Sequence, residues 1–186
     1  MDMEVFLRDL ESRFDEERRQ EMDALVNDLT DAERAGVTLA ARISAAHGTA
    51  ISAVLRGGRV LSGTVVDSAS TWMLLRDARN ESLVPLSALV AVWPLGIGVG
   101  DAEALGRRIG IGHVLRELSE QGVELVIDHD AGRHQGKIAG VYADHIDLAA
   151  NSDVHRVDSR DRIEHTVISL LISGLRAVNL LEHRWL

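Results

Sequence analysis

Cysteine is absent from the chain, so disulfide cross-links and thiolate chemistry are excluded. Long apolar runs are missing too. None reaches the roughly 18 residues that a membrane-spanning helix needs, and the acidic N-terminus is unlike a signal peptide, so no membrane association and a cytoplasmic location are expected. Basic charge is in short supply: 20 Lys and Arg stand against 29 Asp and Glu, a net charge of −9. The balance is −7 over residues 1–35, +2 over 37–94 and −4 over 95–186. Binding a phosphate backbone draws on a basic surface, because counterion release supplies much of the affinity. Only the middle segment offers one, and it is small. The electrostatics disfavour RNA as a partner and leave a protein partner or self-association as the expectation.

What is present is a pattern stated twice. Residues 2–29 read as an acidic N-terminal helical arm, with Phe6, Leu10 and Phe14 at i,i+4 spacing on a narrow apolar stripe. It reads either as a solvated helix or as an arm for a partner or second copy. Thr30-Asp31-Ala32-Glu33 matches a capping box, predicting a second helix that runs to about His47 and stops at Gly48, its first turns weakened by Gly36 and the β-branched Val37 and Thr38. The period then changes from 3.6 to two. Five short strands are expected: Ile51 to Leu55, Val60 to Asp67, Trp72 to Leu75, Leu83-Val84, and Leu89 to Trp93. The paired glycines of Arg56-Gly57-Gly58-Arg59 mark a hairpin between the first two. Pro94 to Gly100 reads as a linker rather than a phosphate loop, since no Lys-Ser/Thr follows it.

After the linker the order repeats. Asp101 to Gln121 is helical, with Leu105, Ile109, Val114, Leu115 and Leu118 as its apolar face and Gly122 as its stop. Strands follow around Val123 to Ile127, Gln135 to Tyr142, His145 to Leu148, Thr166 to Leu171 and Leu175 to Leu180. Sliding this half back by 73 positions puts Gly136 on Gly63, Ile127 on Val54, Ile138 on Val65, Ile146 on Met73 and Leu148 on Leu75, without a gap. A charged segment, residues 151–164, enters the second copy as an insertion of roughly ten residues, within what a surface loop tolerates. Gly63 and Gly136 sit in mid-strand, where glycine costs stability unless a bend or a close backbone approach requires it. The expected organisation is an arm (1–29), a first module (30–95) and a second (101–181).

The run Val54-Leu55-Arg56-Gly57-Gly58-Arg59-Val60-Leu61-Ser62-Gly63, followed by Trp72-Met73-Leu74-Leu75, resembles the Sm-like family, and within it the Hfq-type RNA chaperones. The whole chain resembles an actinobacterial family with two such modules, sometimes labelled a transcriptional regulator, through Leu83-Val84-Pro85-Leu86-Ser87-Ala88-Leu89 and Ala143-Asp144-His145-Ile146-Asp147-Leu148. The resemblance implies an α+β, mostly β fold of two tandem bent five-stranded barrels of the Sm-like or SH3-like type, each preceded by a helix. It also implies pairing of fourth and fifth strands between units. The family's RNA pocket does not carry over. Ser68 stands where the family stacks a base on an aromatic, and Leu86-Ser87 where it places a Lys-His pair.

Other candidates are weighed against simpler readings. Arg56, Arg59, Arg76 and Arg79 are the candidate nucleic-acid or anion contacts, against ordinary surface arginines. Trp72 is expected in the core, and Trp93 and Trp185 at the interface between modules or the C-terminus. His129, Asp130 and His134, with His145 and His155, cluster around a hairpin, but a turn rarely converges ligands on a metal, so no metal is expected. Asp158-Ser159-Arg160-Asp161-Arg162 reads as a solvated loop, with a docking loop the alternative. No Ser-His-Asp set or paired carboxylates appear, so no catalytic residues and no cofactor are expected. The expectation is a non-enzymatic interaction or assembly module. The alternative is a divergent Sm-like RNA-binding post-transcriptional regulator.

Overall fold

A computed structural model describes residues 34–78, 80–98, 109–150 and 166–180. The chain divides into two compact units, Met1–Thr38 and Leu39–Leu186. In the first unit, a short turn is closed by the Val37 amide donating to the Arg34 carbonyl, 3.1 Å. The acidic arm, the capping box, residues 101–108 of the expected second-module helix, Arg79, His155, the charged insertion with its alternating loop, and Trp185 lie outside the described residues.

The second unit is mostly β, one antiparallel ten-stranded sheet. Its strands are β1 (Ala50–Leu55), β2 (Val60–Ser68), β3 (Trp72–Arg76), β4 (Glu81–Pro85), β5 (Leu89–Trp93), β6 (Leu125–His129), β7 (Gly132–Val141), β8 (His145–Ala150), β9 (Thr166–Leu171) and β10 (Leu175–Leu180). Their order across the sheet is β5-β1-β2-β3-β4-β10-β6-β7-β8-β9, so the sheet does not close on itself and its outer strands are β5 and β9. Among the described residues two helices accompany it, α1 (Leu39–Ala45) and α2 (Ile111–Gln121). The helix that the capping box predicts is not continuous: Arg34 and Ala35 are helical, Gly36, Val37 and Thr38 are not, and α1 starts at Leu39. α2 ends where expected, at Gly122 in the left-handed region (φ 63°). Ile109 precedes α2 rather than joining its apolar face.

The duplication is written into the pairing register. In β2 and β3, Val65 faces Leu75, Val66 is bulged and Asp67 faces Leu74; in β7 and β8, Ile138 faces Leu148, Ala139 is bulged and Gly140 faces Asp147. The offset here is 73, as the sequence predicts. In the first strand of each half it is 74, which corrects the gapless alignment. Ile51 faces Gly63 and Leu125 faces Gly136, so Ile127 takes the place of fully buried Ala53 rather than Val54. The reason is the hairpin, which has Arg56, Gly57 and Gly58 in one half and only Asp130 and Ala131 in the other. After the charged insertion the offset is 86, from the 3-10 turn Leu86–Ala88 to its counterpart Ile172–Gly174, so the insertion amounts to 13 residues (86 − 73).

Non-local hydrogen bonds repeat with the register. The Arg56 amide donates to Ala88 and the Asp130 amide to Gly174; the Leu86 amide donates to Thr71 and the Ile172 amide to Asp144. The two mid-strand glycines share one cause. A Cβ on Gly63 would lie 2.7 Å from the Arg76 carbonyl oxygen, and one on Gly136 would overlap the Ala149 carbonyl. Backbone passes backbone at both places, and only hydrogen fits between.

Two cores result, and they exchange residues. The first gathers Ile43, Leu55, Val65, Met73 and Val84, with Ala177 contributed by β10. The second gathers Leu115, Leu125, Ile127, Ile146 and Leu148, with Ala69, Trp72 and Leu83 contributed by the first half. Trp72 is buried as expected, and its indole donates to the Ile109 carbonyl at 2.8 Å.

Candidate functional site

The two halves meet where β4 pairs with β10: Leu83 opposite Val178, Ser82 opposite Asn179, Glu81 opposite Leu180. Leu83 and Val178 put apolar surface into the joint, and beside them lies a buried polar chain. The Ser82 hydroxyl donates to Asn179 Oδ1 (2.8 Å), and Asn179 Nδ2 donates to the Val126 carbonyl and to Asp128 Oδ2, both at 3.0 Å. Such a chain is worth its burial only when each member is satisfied. Asp128 completes it, facing Arg59 and, at 3.8 Å, Arg133.

Beyond the strand pair, the hairpins of the two halves lie against each other. Arg56 Nη2 donates to the carbonyls of Ser173 (2.7 Å) and Leu175 (3.3 Å) and stands 3.4 Å from Asp130. Arg176 occupies a bulge in the β10–β6 ladder, the position that Val90 holds in the β5–β1 ladder. A bulge re-aims its side chain, and Arg176 donates to the carbonyls of Arg56 (3.2 Å) and His129 and stands 3.5 Å from Asp130. Gly57 makes this reach possible, since a Cβ there would overlap the Arg176 guanidinium. Burial, and then the charges of Arg133 and Arg176, pull the Arg59 pKa below its ordinary value.

Of the candidate contacts, Arg56, Arg59 and Arg76 are each paired with a carboxylate rather than standing free on a basic face. Arg56 and Arg59 turn inward to Asp130 and Asp128 of the other half, and Arg76 is held by Glu81 on the facing strand (Nε to Oε1, 2.7 Å). Trp93 is also corrected. It is 47% exposed on the outer strand β5, away from the joint, because the non-local pairing puts β4 and β10 there instead. His129 is occupied by backbone: Nδ1 accepts from the Ala131 amide and Nε2 therefore donates to the Leu171 carbonyl, both at 3.0 Å. Among the described residues, no group of three or more His, Asp and Glu is placed to hold a metal, and no helix is long and apolar enough to cross a membrane.

The outer edges of the sheet are apolar. Val90 and Trp93 stand exposed on β5, Val167 and Leu171 on β9. By the offset of 86, Trp93 corresponds to Asn179 and Ile168 to Ser82, so the two polar partners of the inner joint are replaced at the edges by apolar residues. The turns between second and third strands also differ. In the second half, Tyr142 is half-exposed and stacks on His145, ring centroids 4.5 Å apart, where the first half has Ala69 and Trp72. Asp144 sits between them, its carboxyl held below the ordinary range chiefly by the His145 hydrogen bond. Both turns border an open depression of about 540 Å³, with Thr71, Leu86 and Ser87 from one half and Asp144, Ile172 and Ser173 from the other.

Ser82, Asp128, Arg133, Tyr142, Arg176 and Asn179 were not among the candidates read from the sequence. The one local signal was a polar residue within an otherwise apolar strand, Asp128 in Leu125–His129 and Asn179 in Leu175–Leu180. Compared with known proteins, the chain matches no family model and no curated protein.

Proposed function

We propose that this chain is a non-enzymatic assembly module: two Sm-like five-stranded units fused in one polypeptide, with outer strands that take further protein strands. The observation that carries this reading is the β4–β10 joint. β9 is the counterpart of β4 and β5 the counterpart of β10, so the contact made once inside the chain is left open at its two ends. Exposed apolar strand edges are templates for pairing with another chain. A second copy is the partner that fits, through β9 of one and β5 of the next, with Ile168 opposite Trp93 and Ser169 opposite Val92 in the register of the inner joint. The acidic arm, in this reading, recruits a further protein partner.

Light scattering over a concentration series tests it. The wild type is expected to exceed its 20.3 kDa monomer mass, while Val167→Lys and Trp93→Glu, changes at exposed positions, return it to monomer with unchanged circular dichroism. A wild type that stays monomeric at about 100 µM counts against self-assembly. The RNA-binding alternative has one observation in its favour, Tyr142 stacked on His145 at the two ends of the turn whose Ala143 and Asp144 line the depression. A-rich or U-rich RNA retarded by the wild type, but not by Tyr142→Ala, would move the function to that reading.

A further inference from the structure

The cluster beside the joint carries more positive charge than its structural contacts use. Four guanidinium groups, from Arg56, Arg59, Arg133 and Arg176, stand around two carboxylates, Asp128 and Asp130. At neutral pH the excess is two positive charges. Each carboxylate is shared between two arginines, so no arginine has a carboxylate to itself. Arg133 is the loosest of the four, 66% exposed and 3.8 Å from Asp128. Nε of Arg56 is buried without a hydrogen-bond partner among the described residues, and Nε of Arg176 has only its 3.5 Å ion pair with Asp130. Buried donors are ordinarily satisfied, and these two lie side by side, on the β1–β2 hairpin and the β10 bulge.

We propose that this cluster is a binding site for the phosphoryl dianion of a small molecule, with Arg133 and Arg59 closing on it and Arg56 and Arg176 forming its floor. The ligand's charge of −2 matches the excess of +2. Guanidinium forks present paired N–H donors at the spacing of phosphoryl oxygens, and several such forks around one anion favour phosphate over a carboxylate. Asp128 and Asp130 compete with the ligand for the same donors, so the site is expected to be of moderate affinity. Because its arginines come from both halves, bound anion stabilises the contact between them. This inference stands apart from strand-edge assembly, since none of these residues lies on the outer strands.

Isothermal titration of the full chain with inorganic phosphate and with pyrophosphate, in about 0.15 M sodium chloride to screen diffuse attraction, is the test. Saturable binding at one site per chain is expected. Arg133→Gln is expected to weaken it about tenfold, as loss of a charge-assisted fork would, while circular dichroism stays unchanged. Asp130→Asn is the discriminating variant: it is expected to tighten binding several-fold, because a competitor for Arg56 and Arg176 has been neutralised. A merely structural role for the cluster gives no saturable binding, or binding that Arg133→Gln leaves intact, or weaker binding in Asp130→Asn. Any of these overturns the proposal. So does an oligonucleotide that binds through Arg133 when phosphate and pyrophosphate do not.

Discussion

Gly63 and Gly136 show how little room separates a tolerated residue from a forbidden one. A methyl group at either would meet a carbonyl oxygen of the neighbouring strand, and backbone cannot yield as a flexible side chain does. Gly136→Ala is expected to cost about 3 kcal/mol or more, in the upper range for overpacking, and Gly63→Ala somewhat less, since its clash is milder. Urea denaturation of both variants checks the order as well as the size. If Gly136→Ala retains wild-type stability, the close approach is not part of the fold. These positions were legible in the sequence because mid-strand glycine is unfavourable unless something demands it. Trp93 was not, because an aromatic at the end of an apolar strand reads the same whether that strand is central or outermost.

At the scale of elements, the strands were largely legible and their non-local partners were not. β5, β9 and β10 run over the residues that alternation and turn chemistry mark out, since both are local. The β4–β10 contact joins residues about a hundred positions apart, and no periodicity announces it. The same holds for the arginines: their types and spacing fit either a basic contact face or ordinary surface arginines, whereas their partners Asp128 and Asp130 arrive from the far half. The joint carries its own prediction. Asn179→Leu removes the amide that links Ser82 to Asp128, leaving a hydroxyl and a carboxylate oxygen buried with fewer partners, at a cost of about 2–3 kcal/mol. Thermal and urea unfolding of the variant measure it. A neutral or stabilising result would mean that apolar packing serves the joint as well as the polar chain does.

For the Leu39–Leu186 unit as a whole, the exchange of core residues decides how it unfolds. Trp72 and Leu83 belong to the first half by sequence and to the second core by packing, and Ala177 makes the reverse crossing. Neither core is complete within its own half, so the unit is expected to melt in one calorimetric transition with equal calorimetric and van't Hoff enthalpies. Leu83→Ala is expected to lower that single transition by about 2–5 kcal/mol of stability rather than split it. Two resolved transitions in the wild type would show that the cores are separable.

Fusing two like units also changes what their contacts can encode. In an assembly of identical single units every contact is the same, and any edge accepts any other. Here the inner contact is marked by Ser82, Asn179 and Asp128, whereas the matching positions are Ile168 and Trp93 on the outer strands and Val54 on β1 beside β5. An outer β5 edge entering the inner joint would set indole against Ser82 and strip Asp128 of its amide donor. An inner edge offered to β9 would bury Asn179 against Ile168. In the proposed assembly, each mismatch would leave a polar group without a partner, a two-letter address that would keep the chain's own halves together and discourage exchange between copies.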